Sequence, residues 1–242
     1  VHHCIDDILV QGARPLFFLD YVAVGKMEPR VVSDIIRGCA EACAENGFAL
    51  LGGETAEMPG LYAPGDFDLA GFIVGSVKRE KLLDGTRVKP GMTILALESS
   101  GLHTNGFSLA RKVLFDEQKL AMTDRPVEFG GPSVAEALLA VHRSYLKPLW
   151  PLLEQDKLAA LAHITGGGLV DNVPRVLNRC DAWIDRKAWT PPALFRYLCE
   201  KGRVSREEAY QVFNMGIGMV LFVAPSDERA VREHLVAQGE RV

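Results

Sequence analysis

Asp7-Ile-Leu-Val-Gln-Gly-Ala-Arg-Pro15 runs directly into Leu16-Phe-Phe-Leu-Asp-Tyr-Val-Ala-Val24, and the junction between the two stretches orders the first part of the chain. Upstream of it Ile5, Ile8 and Leu9 recur at helical spacing, Gly12 supplies a stop, and Pro15 opens an apolar strand. Asp6 and Asp7 therefore ride on a helix that leads into a strand. From Glu28 onward Val31, Val32, Ile35, Ile36, Cys39, Ala40 and Cys43 recur at steps of three and four, and Gly47 offers a left-handed end to that second helix. Phe48-Ala-Leu-Leu51 reads as a short strand, the Gly-, Pro- and acid-rich stretch 52–68 as a loop, and Leu69 to Val77 as a further strand.

Lys78 to Gly91 has the charge density and the closing Pro-Gly of an exposed connection, so a domain boundary is expected near residue 85, giving domains 1–85 and 86–242. Beyond it Met92 to Leu97 starts a new strand. Helices are expected over 106–116, 133–153, 169–177, 193–201 and 227–238, with strands near 182–184 and 218–223 and another at the chain's end. The pattern is α+β, and 242 residues suffice for two modest domains. The strands Leu16 to Val24 and Leu69 to Val77 are apolar on both faces and too few to close a sheet alone, which points to a homodimer.

Composition excludes several classes. The 27 basic and 31 acidic residues are scattered, with no positive stripe, so nucleic acid is not an expected partner. No apolar run reaches the ~18 residues that a membrane span needs. The five cysteines are few and odd in number, which argues for a reducing compartment and a cytoplasmic location. The chain opens on Val1 inside what reads as a structured element, and the natural chain is expected to begin upstream.

Chemistry-bearing residues fall into three groups. Asp7, Glu54 and Glu57 are oxygen donors from separate stretches, the type that Mg2+ shares with substrate phosphates, though each also reads as an ordinary solvated acid. Gly52 and Gly53, beside Thr55, can bring backbone N–H groups close to an anion, or can simply form a turn. Ser99-Ser-Gly-Leu-His-Thr-Asn-Gly106 lies between a strand and a helix, where anions bind and where helix caps also sit. His163-Ile-Thr-Gly-Gly-Gly168 repeats the arrangement without the spacing of a P-loop or a dinucleotide fingerprint. Asn214, in Phe213-Asn-Met-Gly-Ile-Gly-Met219, reads as a core residue or a weaker ligand. Adjacent His2-His3-Cys4 cannot all face one ion from a helix, and Cys39 and Cys43 fit a core.

Three strings carry a specific likeness. The Asp-x4-Gly-Ala-x-Pro spacing of Asp7 to Pro15 in its context DDILVQGARPLFFLDYVAVGK, the string GGETAEMPG from Gly52, and the Ser-Gly-x-His-x-Asn-Gly loop from Ser100 resemble the aminoimidazole ribonucleotide synthetase family. That family sits in a superfamily of ATP-using purine-pathway, thiamine-phosphate, selenophosphate and hydrogenase-maturation enzymes. The likeness covers essentially all 242 residues in order. It implies two α+β domains, the first joining its strands to a partner's in a shared dimer barrel and the second a sheet flanked by helices, with ATP in the cleft between. It further implies ATP-dependent closure of phosphoribosylformylglycinamidine to aminoimidazole ribonucleotide.

On that resemblance Asp7 and Glu54, with Glu57, hold Mg2+, and Gly52, Gly53 and Thr55 lie toward ATP. Ser100, Gly101, Asn105, Gly106, Thr165, Gly166, Gly167, Gly168 and Asn214 contact the substrate. His103 or His163 manages protons. The family's Gly- and Asp-rich segment and its ATP-associated lysine have no counterpart after Val1, and the family's C-terminal end is also missing. Residues 1–242 alone are therefore expected to fold without turning over. The alternatives are another superfamily phosphotransferase, of thiamine-monophosphate or selenophosphate type, and a catalytically silent dimeric binding domain; GGETAEMPG and GLHTNG argue against the former.

Overall fold

The computed structural model describes residues 1–242, which divide into two compact units, Val1–Leu82 and Leu83–Val242. In the first, helix α1 (His2–Leu9) leads into β1 (Arg14–Val24), followed by α2 (Pro29–Glu45), β2 (Ala49–Glu57) and β3 (Phe67–Ser76). Gly12 ends the α1 connection with φ 77°, a backbone state that glycine reaches without steric cost. Pro29 starts α2, where a missing N–H costs nothing, and Asn46 closes it by donating to the Ala42 carbonyl at 2.8 Å.

The three strands order as β2-β1-β3, with β1 parallel to β2 and antiparallel to β3. Phe18, Asp20, Val22 and Val24 of the central strand point to one face and are buried. Helix α1 lies on that face: a Cβ added at Gly71 would meet Phe18 and Cys4, and one at Gly75 would meet Ile8. Burial on α2 pushes the Cys43 thiol up to about 11, so Cys39 and Cys43 act as small apolar packing residues. The opposite face carries Phe17, Leu19, Tyr21, Phe72 and Val74; Phe72 is 61% exposed.

One expectation is overturned here. Residues 52–57 are not loop but the greater part of β2, paired in register with Leu19 through Val24. Their poverty in apolar side chains hid a strand that exists because β1 supplies its ladder partners.

The second unit holds β4 (Thr93–Glu98), α3 (Phe107–Arg111), α4 (Val134–Leu138), α5 (Leu146–Glu154), β5 (Ala160–His163), α6 (Gly168–Asn172), α7 (Ala193–Lys201), α8 (Arg206–Val212), β6 (Ile217–Val223) and α9 (Glu228–Ala237). Its sheet runs β4-β6-β5, both pairs antiparallel. Every residue of the central strand β6 is buried, and Leu114, Phe195, Leu198 and Phe213 pack around it as the core. Helix α3 continues as a wider π turn over Lys112–Glu117.

The stretch 133–153 is two helices rather than one. A capping box between Ser133 and Glu136 opens α4, and a non-helical segment, 139–145, separates it from α5. Strand β5 and helix α8 were not anticipated, Ala182 to Ile184 pairs with nothing as a strand and leaves Trp183 84% exposed, and the chain's end is not a strand. No helix is long and apolar enough to cross a membrane.

Candidate functional site

In the first unit the expected acids do not converge from one face. Asp7 is exposed on α1, paired with His3 one turn earlier at 3.2 Å. Glu54 and Glu57 both lie on β2, where successive side chains alternate, so their odd separation sends them to opposite faces. Register with β1 puts Gly53, Thr55 and Glu57 on the helix-bearing side and Glu54 on the open side. A single ion thus cannot take both glutamates from this strand. All three are hard oxygen donors of the kind Mg2+ requires, so the donor chemistry fits that ion.

Gly53 has a packing role that the sequence did not reveal. A Cβ there would lie 2.0 Å from the Asp20 carbonyl oxygen and 2.7 Å from its Cγ, so the glycine makes room for a buried aspartate on the neighbouring strand. Gly52 and Gly53 sit within a β ladder and not in a free phosphate-binding turn.

In the second unit, the structure brings two expected loops together. Ser99 to Gly106 follows β4, and Thr165 to Gly168 follows β5; a Cβ added at Gly166 would lie 3.2 Å from Asn105 Oδ1. Each loop has an internal clamp. Asn214, buried, accepts from the Ser99 hydroxyl at 3.0 Å and the Gly216 amide at 2.8 Å, and donates to the Gly101 carbonyl at 2.8 Å. Asn172, also buried, donates to the Gly168 carbonyl at 2.8 Å and the Gly166 carbonyl at 3.2 Å, and accepts from the Thr165 hydroxyl at 3.1 Å.

Asn214's amide is thus used in holding the first loop in place. Asn172 was missed by sequence reasoning; its signal is an amide four residues after a glycine run, placed to satisfy that run's carbonyls. Ser100 and Gly101 border a cleft of about 320 Å³ shared with Phe129, Glu136, Ala137 and Leu194. A larger cavity of about 1020 Å³, beside β4 and lined by Met92, Ile94, Trp183 and Trp189, includes none of the expected site residues.

The first loop is conformationally strained. His103 and Thr104 adopt φ of 53° and 66°, and Gly106, at 81°, begins α3. Consecutive non-glycine residues at positive φ persist only where surroundings hold them. Here the holding contact is visible: the Ser100 and Arg143 amides both donate to His103 Nε2, at 2.9 and 3.4 Å. That nitrogen must carry a lone pair, which leaves the ring proton on Nδ1.

His103 does not stand alone. Its ring stacks on His142 with centroids 4.0 Å apart, and His142 Nε2 lies 3.2 Å from His163 Nε2. The two candidate histidines are therefore linked through a third. His142 carries no signal of its own in the sequence, since the residues around it have the composition of a helix interior and the structure makes 139–145 non-helical.

Comparison with known proteins gives this geometry a family. Residues 1–77 match the AIR synthase related protein N-terminal domain, and residues 89–242 match the corresponding C-terminal domain. A phosphoribosylformylglycinamidine cyclo-ligase of Lactobacillus delbrueckii subsp. bulgaricus is 46% identical over 240 residues, covering 99% of this chain and 69% of that relative. One from Cupriavidus taiwanensis is 50% identical over 240 residues, covering 98% and 67%. The crystal structure of the hydrogenase maturation protein HypE in complex with ATP shares the fold, with a TM-score of 0.63 at 16% identity over 97% of this chain and 64% of that one. On matches that run the length of both units, the chain belongs to the AIR synthase related family, among the relatives named phosphoribosylformylglycinamidine cyclo-ligase.

Proposed function

We propose that the protein closes phosphoribosylformylglycinamidine to aminoimidazole ribonucleotide at the expense of ATP, releasing ADP and phosphate. The observation that carries this reading is identity of 46–50% to cyclo-ligases over nearly the whole chain. The ATP-bound structure of like fold supports the nucleotide. Formyl amide oxygen is a poor leaving group. Transfer of the ATP γ-phosphoryl to it gives an iminophosphate, the amidine nitrogen attacks that carbon within the same molecule, and the oxygen departs with phosphate. Such a reaction asks for positioning and charge stabilisation more than for a nucleophile on the protein.

The residues divide the work as follows. Asp7, with Glu54 or Glu57, holds Mg2+, which when bound neutralises phosphate charge. Thr55, Gly52 and Gly53 lie along the same strand toward the nucleotide. Ser100, Gly101, Asn105, Gly106 and Thr165 to Gly168 present hydroxyl and backbone groups to the ribose phosphate, from two loops that Asn214 and Asn172 hold rigid. His103 Nε2 is committed to two backbone amides, so proton movement is assigned to His163.

The first unit is proposed to dimerise, its strands joining those of a second copy in a shared barrel. Its sheet has three strands, its edges β2 and β3 are unpaired within the unit, and Leu51, Phe72 and Val74 are exposed. Light scattering at micromolar concentration is expected to give twice the chain mass; a monomer with the first unit folded would contradict this. The five free thiols fit the cytoplasm.

Substrate choice tests the reaction. With the protein taken to the length of its relatives, ADP release is expected to depend on phosphoribosylformylglycinamidine and not on thiamine monophosphate. The reverse dependence would move the chain to a kinase role.

A further inference from the structure

We propose that His142 and His163 form a binding site for a divalent transition ion of borderline softness, with Zn2+ the best fit. The two Nε2 atoms are 3.2 Å apart. An ion holding two imidazoles at about 2.0–2.1 Å in tetrahedral geometry sets their nitrogens roughly 3.3–3.4 Å apart. The rings therefore already stand almost where such an ion needs them.

In the ion's absence one of these nitrogens donates to the other; an entering ion takes both Nε2 lone pairs as the donor ring's proton shifts to its Nδ1. Imidazole nitrogen selects Zn2+, Ni2+ or Cu2+ over the hard Mg2+. The site is thus chemically separate from the carboxylates assigned to the nucleotide's metal.

Preorganisation strengthens the case. His142 lies on an irregular segment that is tied on three sides: the Ser100 hydroxyl donates to the Val141 carbonyl at 2.6 Å, Arg143 pairs with Glu240 at 2.6 Å, and the Tyr145 hydroxyl donates to the Glu98 carbonyl at 2.7 Å. The His142 ring is further fixed by stacking on His103. His163 closes β5 and is paired in register with Met219 on the central strand, and its side chain is buried. Little freedom remains to be lost on binding. Protein supplies two ligands in this unit, leaving the remaining positions for water or for an oxygen of a bound molecule. Because His163 opens the glycine loop and His142 stacks on the other loop's histidine, a bound ion would bridge the two loops.

Calorimetric titration of the purified chain with ZnCl2, in the presence of excess Mg2+, tests the site independently of the proposed reaction. One ion per chain is expected, with affinity at least tenfold weaker in both His142→Gln and His163→Gln. Equal affinity in the wild type and a folded His142→Gln variant would overturn the proposal, as would absence of stoichiometric binding by the wild type. A second reading guards against misfolded variants: Co2+ bound to the wild type should give a tetrahedral nitrogen-ligand absorption without a thiolate charge-transfer band. A thiolate band, or an octahedral oxygen-only spectrum, would place the ion elsewhere and reject the site.

Discussion

Gly168→Ala is expected to cost the second unit about 2–5 kcal/mol, the sum of left-handed backbone strain and overpacking. The position has φ 58°, and a Cβ there would lie 2.0 Å from the Tyr210 carbonyl oxygen and 3.0 Å from that of Phe213. Both are backbone atoms at the end of α8, so relief requires moving a helix and not rotating a side chain. Against a typical domain stability of about 5–15 kcal/mol this is a large fraction.

Gly91→Ala is the matched control. Its φ is 86° but nothing lies within 4 Å of the added Cβ, so only the strain of about 1–2 kcal/mol remains. Urea unfolding followed by tryptophan fluorescence reads the second unit alone, because Trp150, Trp183 and Trp189 all lie within it. Equal midpoint losses for the two variants would show that the Tyr210 contact does not constrain the loop.

In protein taken to the length of its relatives, Asp7→Asn is expected to lower ATP-dependent turnover by on the order of 10²–10³-fold, the range seen when a group stabilising developing charge is removed. The substitution keeps size and hydrogen bonding but withdraws the negative charge that Mg2+ needs. Stability should change by less than about 1 kcal/mol, since the side chain is half-exposed and its contact with His3 lies at the surface. Full activity in Asp7→Asn, measured as ADP release, would remove Asp7 from the metal site; a large stability loss would make its role structural.

Regular periodicity was legible where burial imposes it. The helical repeat from Val31 to Cys43 and the apolar run through Leu16 to Val24 correspond to α2 and β1, because one face of each packs against the other elements of the unit. Strand β2 was not legible. Gly52-Gly53-Glu54-Thr55 has almost no apolar content, and its extended form follows from pairing with β1 and from the space that Gly53 leaves for Asp20. The same logic hid β5: Ala160-Leu-Ala-His163 has the composition of a helix and is a strand because β6 offers an edge. Trp183 and Ile184 have strand-forming side chains but no partner, so they form none.

At the site, the glycine run and the Ser99 to Gly106 loop could be found from residue types and spacing, and the fold brings both to Asn105 and Gly166. What could not be found was the connection between their histidines. His142 is separated from His103 and His163 in sequence, sits among residues of helical composition, and acquires meaning only through a 4.0 Å stack and a 3.2 Å nitrogen contact. Asn172 was hidden for a related reason: an amide gains its role from two carbonyls and a hydroxyl that converge only once the loop has turned.

The most direct test of the cyclo-ligase reading follows one oxygen atom. Phosphoribosylformylglycinamidine labelled with 18O in its formyl group, incubated with MgATP and the protein at its relatives' length, should give aminoimidazole ribonucleotide and ADP in equal amounts. The label should appear in the released inorganic phosphate. Unlabelled phosphate, or ADP formed without the imidazole product, would contradict phosphoryl activation of the formyl oxygen and with it the proposed function.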